Sequence, residues 1–277
     1  MQTDRDRRVA GLLLAAGAGS RYGGPKALAV DRTGESWLVR AARALEAGGC
    51  DPVLVVLGAG GAEAEELLRD SASRFDNPDR LLVVHADRWA DGLAASLDAG
   101  LAALQESDPA VTAVAMVPVD VPDLDAATVA RLIGEIDVAG SSSTAAAGTA
   151  QRVWAAASEE TVASEETAAP DAPTSPATPG AAAGAVSAET ATAFADASAR
   201  AGAPARAGGV TSQTLRQAHF GGRPGHPVVI GRSHWALLRS GLSGDTGARP
   251  YLVTHGVLAV PCDDLGTGAD VDTPETA

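Results

Sequence analysis

The chain has 277 residues, 45% of them hydrophobic, and carries a formal charge of -14, with a pI near 4.7 and a mean hydropathy of +0.05. That is enough apolar material for one large α/β domain. It is too acidic a balance to be drawn to a phosphate backbone or an anionic bilayer, so nucleic acid and membrane surfaces are excluded as partners, while a small anion held by backbone amides and a few cations is not.

Residues 1–7 read as a polar tail. Arg5, Arg7 and Arg8 before an apolar run imitate a secretory signal, but the run is short, Asp4 and Asp6 sit among the arginines, and a glycine-rich loop follows at once. A strand over 9–14, buried on both faces, explains the same residues. Residues 37–47 have apolar positions at helical spacing and stop at Gly48-Gly49. A second buried strand is expected at 53–57, a helix at 62–68, a third strand at 81–84 and a helix at 92–104. A fourth strand, 111–117, runs into Pro118-Val119-Asp120, and 125–133 is helical.

Alternation of this kind predicts parallel strands with crossover helices on both faces: an α/β, Rossmann-like three-layer sandwich around a mostly parallel sheet. Ligands on such sheets bind beyond the C-terminal strand ends, here the loops after Leu14 and Val117. From 139 to 210 the composition shifts to Ala, Ser, Thr, Pro, Glu and Gly. This stretch has too little apolar surface to offset its ordering entropy, so it is read as a disordered insertion. Pattern returns near Leu215, with a strand at 227–230, a helix at 233–240 and a last strand at 257–260. Residues 8–277 are thus expected to be one interrupted domain. No stretch is long and apolar enough to span a bilayer. The cysteines, Cys50 and Cys262, lie far apart without a C-x-x-C partner, which excludes a cysteine zinc site and fits reduced thiols in the cytoplasm.

The segment Leu14-Ala15-Ala16-Gly17-Ala18-Gly19-Ser20-Arg21-Tyr22-Gly23-Gly24-Pro25-Lys26 carries the chemistry. Glycines let the backbone approach a phosphate and turn its N–H groups inward, and Arg21 and Lys26 can neutralise a polyphosphate. A P-loop requires Lys directly after Gly and a following hydroxyl; here Pro25 intervenes and Ala27 follows. A dinucleotide fingerprint requires a third glycine where Tyr22 stands, and the second strand ends in Leu57-Gly58-Ala59-Gly60 without a ribose-binding acid.

This segment resembles the signature of the molybdopterin nucleotidyltransferases, which include the molybdenum cofactor guanylyl- and cytidylyltransferases. Further blocks resemble the cytidylyl branch: the stretch from Trp89 to Leu97, Pro118-Val119-Asp120-Val121-Pro122, Gly222-Arg223-Pro224-Gly225-His226-Pro227, Gly244-Asp245-Thr246-Gly247-Ala248-Arg249 and Asp270-Val271-Asp272-Thr273-Pro274-Glu275. The resemblance implies a nucleotide-diphospho-sugar transferase type of fold. It implies Lys26, Arg21 and Asp120 as catalytic residues. Leu14, Ala15, Ala16, Gly17, Gly19, Ser20, Arg21, Lys26, Trp89, Gly92 and Ser96 would bind the nucleotide, His226 and Asp245 would line an acceptor pocket, and Asp120 with Asp272 or Asp270 would hold Mg²⁺.

The reaction implied is attack of an acceptor phosphate on the α-phosphorus of a nucleoside triphosphate, with CTP and molybdopterin as best pair and a molybdoenzyme as recipient of the product. The pattern departs from the family at Val119 and Val121, where the family has Gly and Gln around the aspartate, and at Tyr22 and Leu93, where it has methionine. Two rival readings go with the same pattern: an NAD(P)H-dependent reductase of the nicotine blue oxidoreductase type, and a non-catalytic chaperone for the molybdenum cofactor.

Overall fold

Strands β1 (Arg8–Ala15), β2 (Val53–Leu57) and β4 (Val111–Pro118) are apolar along almost their whole length because helices cover both of their faces. The computed structural model describes residues 8–134 and 209–273. The tail 1–7 and the expected insertion, save its last two residues, lie outside the described residues.

Seven strands form one sheet in the order β3-β2-β1-β4-β6-β5-β7, with β3 at Leu81–His85, β5 at Leu215–Phe220, β6 at Arg223–Gly231 and β7 at Leu258–Pro261. β1 to β4 run parallel, and β5 pairs parallel with β7. β6 is the reversed strand, antiparallel to both β4 and β5. The reversal has a local cause. Gly221 and Gly222, at φ 57° and 75°, join β5 to β6 in a two-residue turn that needs positive φ at both positions.

Successive strand residues go to opposite faces. Leu13, Ala15, Val55, Leu57, Ala115 and Val117 pack under α1 (Trp37–Ala47), α2 (Gly61–Asp70) and α4 (Ala126–Ile133). Leu12, Leu14, Leu54, Val56, Val114 and Met116 pack under α3 (Leu93–Ser107), α5 (Arg232–Gly241) and α6 (Arg249–Thr254). Two cores flanking one sheet make the expected three layers. Two helix starts are capped by side chains: at α1, Ser36 Oγ accepts from Val39 N at 3.3 Å, and at α4, Asp125 Oδ1 accepts from Ala127 N at 3.0 Å. Gly100 lets α3 sit close on the sheet, since a Cβ there would come within 2.7 Å of Leu12.

The expected elements recur within a few residues of their bounds. The sequence reading assigned neither strand β5 nor the one-and-a-half turns of α6, because neither carries enough periodicity by itself. No helix among the described residues is long and apolar enough to cross a membrane.

Candidate active site

β1 ends at Ala15 and the chain enters the glycine-rich loop at the C-terminal edge of the sheet. The loop closes on one atom: the Gly19 carbonyl accepts from the amides of Tyr22, Gly23 and Gly24 at 2.9, 2.9 and 3.2 Å. Gly19 has φ 60°, and a Cβ there would lie 1.9 Å from the Gly24 carbonyl oxygen, so only glycine permits the turn. At Gly17 a Cβ would meet nothing within 4 Å, which leaves that side of the backbone open. Tyr22 rests against Trp37 with ring centroids 5.3 Å apart, tying the loop to α1. Lys26 then opens a single tight turn, Lys26–Leu28, whose Ala27 is buried.

Across the cleft, β4 delivers Asp120. The Lys26 ammonium donates to Asp120 Oδ2 at 2.8 Å and to Asp272 Oδ1 at 3.2 Å. Lys26 and Asp120 are largely shielded, with side chains 14% and 21% exposed, while Asp272 is 60% exposed. Burial works against the Lys26 charge, but hydrogen bonds and charge from Asp120, then Asp272, outweigh it and hold the Lys26 pKa above its ordinary value. Asp272 arrives from the C-terminal segment, where Val271 is buried and its amide donates to the Asp120 carbonyl at 2.9 Å.

The opposite wall is built from the β3–α3 connection. Trp89 lies against Gly58, where a Cβ would come within 2.7 Å of the indole, and the Ala59 amide donates to the Ala16 carbonyl at 3.0 Å. Gly92, at φ 107°, lets the 243–248 loop approach: a Cβ there would lie 2.6 Å from Asp245 Oδ1, and the Ala94 amide donates to the Gly244 carbonyl at 2.9 Å.

Of the residues singled out in the sequence, Leu14, Ala15, Ala16, Gly17, Gly19, Ser20, Lys26, Trp89, Gly92, Ser96, Asp120 and Asp245 border one open cleft of about 440 Å³. Arg21 is exposed and is not among the residues that line the cleft. Asp245, which the resemblance places with His226 in an acceptor pocket, borders the cleft beside Gly92. His226 is not among the residues that line it. Its Nδ1 is buried with no hydrogen-bond partner, and burial keeps its pKa below the ordinary value against the opposing effects of Asp120, the Met116 carbonyl and Asp270. Asp270 is exposed and, unlike Asp272, makes no contact with Lys26. Pro118, Val119 and Leu93, which belong to the resembling blocks but have no role assigned there, also line the cleft.

The carboxylates of Asp120 and Asp272 converge on a single cation, Lys26 Nζ. Such hard oxygen donors fit a small divalent ion such as Mg²⁺, which takes one or two carboxylates and completes its shell with water and phosphate. Among the described residues no group of three or more His, Cys, Asp or Glu side chains forms an all-protein cage for a metal, as that mode of binding requires none.

Comparison with known proteins gives three kinds of likeness. The model of the MobA-like NTP transferase domain matches residues 11–260. Nicotine blue oxidoreductase of Paenarthrobacter nicotinovorans is 29% identical over 275 residues, covering 96% of this chain and 93% of that protein. Among solved structures, a nucleotidyl transferase from Methanothermobacter thermautotroptrophicus (Mth528) superposes with a TM-score of 0.56 at 16% identity, covering 97% of this chain and 93% of its own. The manganese complex of Rv0371c from Mycobacterium tuberculosis H37Rv gives 0.51 at 17% identity, covering 97% and 95%. The two structures are likenesses of fold.

Proposed function

The chain belongs to the MobA-like NTP transferase family, and from that premise we propose that it moves a nucleoside monophosphate from a nucleoside triphosphate to a phosphorylated acceptor, with release of pyrophosphate. The observation that supports this reading most is the convergence of Lys26, Asp120 and Asp272 at the cleft that the Gly17–Ser20 backbone borders.

The residues divide the work. The open backbone at Gly17 and the glycine loop offer amides to the triphosphate, and Lys26 adds a full charge, held on by its two carboxylate neighbours, for the group in transfer. Asp120 and Asp272 would hold Mg²⁺, with Asp270 as the alternative to Asp272. When bound, that ion supplies Lewis-acid charge to the phosphate oxygens. An acceptor phosphate is already ionised near neutral pH, so the site needs no strong general base, and catalysis is mainly positioning and charge neutralisation. Trp89, Gly92 and Ser96 flank the nucleotide. Arg21, exposed on the same loop, is the second cation available to the phosphates.

The finer assignment is CTP as donor and molybdopterin as acceptor, with Asp245 and His226 on the acceptor's side, in the cytoplasm, and delivery of the product to a molybdoenzyme. It rests on the blocks that resemble the cytidylyl branch and on the Ala15-Ala16 pair, which resembles that branch where the guanylyl branch tends to have a second glycine in place of Ala16. The test is pyrophosphate release measured with CTP, GTP and ATP in turn, acceptor and Mg²⁺ present. Release that is fastest with CTP supports the assignment; preference for GTP overturns the cytidylyl part, and no release with any of the three overturns the transferase.

One observation favours a second reading. The likeness to nicotine blue oxidoreductase runs over 96% of the chain, and a hydride transfer would use the same cleft. A ligand that binds only the folded state raises the melting temperature. A rise with CTP and Mg²⁺ but not with NADH or NADPH selects transfer of a nucleotidyl group, and the reverse selects the reductase.

A further inference from the structure

The C-terminal segment reaches the cleft over a long sequence distance: Asp272 is 246 positions from Lys26. A side chain so placed needs its own segment fixed. The Val271 amide on the Asp120 carbonyl is one attachment, at 2.9 Å. A single hydrogen bond leaves a segment free to pivot.

The second attachment is Asp123, in the loop between β4 and α4. Its Oδ2 accepts from the Thr267 amide at 2.7 Å, from Thr267 Oγ1 at 2.5 Å and from the Gly268 amide at 3.2 Å. Thr267 Oγ1 in turn accepts from the Ala269 amide at 3.2 Å, which shapes the turn. Gly268 has φ 62°, and a Cβ there would come within 2.1 Å of Phe220, so the turn fits in only one way. Farther upstream, Arg131 holds the Pro261 carbonyl at 3.0 Å and the Asp264 carboxylate. The Asp120–Asp123 stretch and the Thr267–Val271 stretch are therefore pinned at both ends.

We infer that Asp123 is a positioning residue: its carboxylate clips the C-terminal segment so that Asp272 stands beside Asp120 and completes the cation site. This rests on the reading of Asp120 and Asp272 as the residues that hold the divalent ion. Asp123 itself touches neither Lys26 nor the cleft wall. Its action is through the segment, and what it supplies is an acceptor oxygen rather than a charge.

Titration of the full chain with Mn²⁺ alone, followed by calorimetry, tests this. Asp123→Ala is expected to weaken Mn²⁺ binding by about tenfold or more, the usual cost of losing a group that orients a ligand. Asp123→Asn keeps an acceptor oxygen and is expected to stay within about threefold of the unaltered chain. Thr267→Ala, which removes one donor and no carboxylate, should fall between them and serves if Asp123→Ala does not fold. In an Asp272→Asn background, Asp123→Ala should cost nothing further, because the residue it positions is gone.

Unaltered Mn²⁺ affinity in both Asp123→Ala and Thr267→Ala, or an equal loss with and without Asp272, overturns the inference and leaves the transferase reading standing. Asp123→Asn falling as far as Asp123→Ala also overturns it, since that marks a charge effect. If the unaltered chain itself does not bind Mn²⁺, the inference and the metal assignment fall together, while pyrophosphate release still decides the reaction.

Discussion

Lys26 Nζ lies 2.8 Å from Asp120 Oδ2, although the two residues are 94 positions apart. The sheet brings them together. β1 and β4 are neighbours running the same way, with Leu14 level with Pro118, so the loops that follow them leave from one edge side by side. Asp272, from a third part of the chain, closes on the same ammonium.

Lys26→Met and Asp120→Asn should each lower the rate of pyrophosphate release by about 10²–10³-fold, the scale on which one preorganised electrostatic contact acts. The fold should survive, because neither side chain belongs to either hydrophobic core. Steady-state kinetics together with melting curves check both halves. Near-normal rates in either variant would remove the proposed mechanism.

Gly19→Ala tests the loop. The added methyl must displace the Gly24 carbonyl, and φ 60° is unfavourable for any side chain. The amides that close on the Gly19 carbonyl are then misplaced. The expected result is a rise in KM for the nucleotide of about tenfold, or ~1.4 kcal/mol, larger than any change in kcat.

The cysteines should be inert in the native protein. Burial pushes the Cys50 thiol up to about 12, and it also raises Cys262. Both side chains are buried, at 4% and 0% exposed. Iodoacetamide at mildly alkaline pH is expected to leave both unlabelled in buffer and to label both in guanidinium, as read by mass spectrometry. Rapid labelling of Cys50 in buffer would contradict its burial in the core.

Stability should fall as the solution is acidified through the histidine range. Burial lowers the pKa of His219 and of His226 from the ordinary 6.5. The unfolded chain then takes up protons as pH drops through 6.5 while the native chain does not, so the unfolded state binds more protons. Stability therefore rises with pH across the window between the native values and 6.5, and is lost as pH falls through it. Melting temperatures at a series of pH values should decline on the acid side, and His219→Gln should make that decline shallower. An unchanged slope in the variant would show that His219 takes up its proton equally in both states.

Much of the fold was legible because burial on two faces writes itself into local sequence. The run Val53–Leu57 is apolar throughout and is a strand buried from end to end. Trp37–Ala47 has its apolar residues on one helical face and stops at glycine. β5 was harder to read. Leu215–Phe220 mixes Arg216, Gln217 and His219 among its apolar residues, and Arg216 is buried with its guanidinium on the Leu132 and Gly134 carbonyls. A buried arginine of that kind has no signature in the sequence, because its partners are main-chain oxygens of a distant helix end.

The sequence by itself determined where most strands and helices lie, to within a few residues, that the backbone after Leu14 must turn on glycine, and which cations and carboxylates were available for phosphate and metal. Those are consequences of local conformational preference and hydrophobic period, and each can be read within a window of a few residues. The tertiary structure alone decided that β6 lies between β4 and β5, that Lys26 lines the cleft while Arg21 does not, that Asp272 rather than Asp270 meets Lys26, and that Asp123 holds the segment carrying it. These are contacts between residues far apart in the chain. They arise only when strand order has placed the loops at one edge, and no local pattern fixes that order.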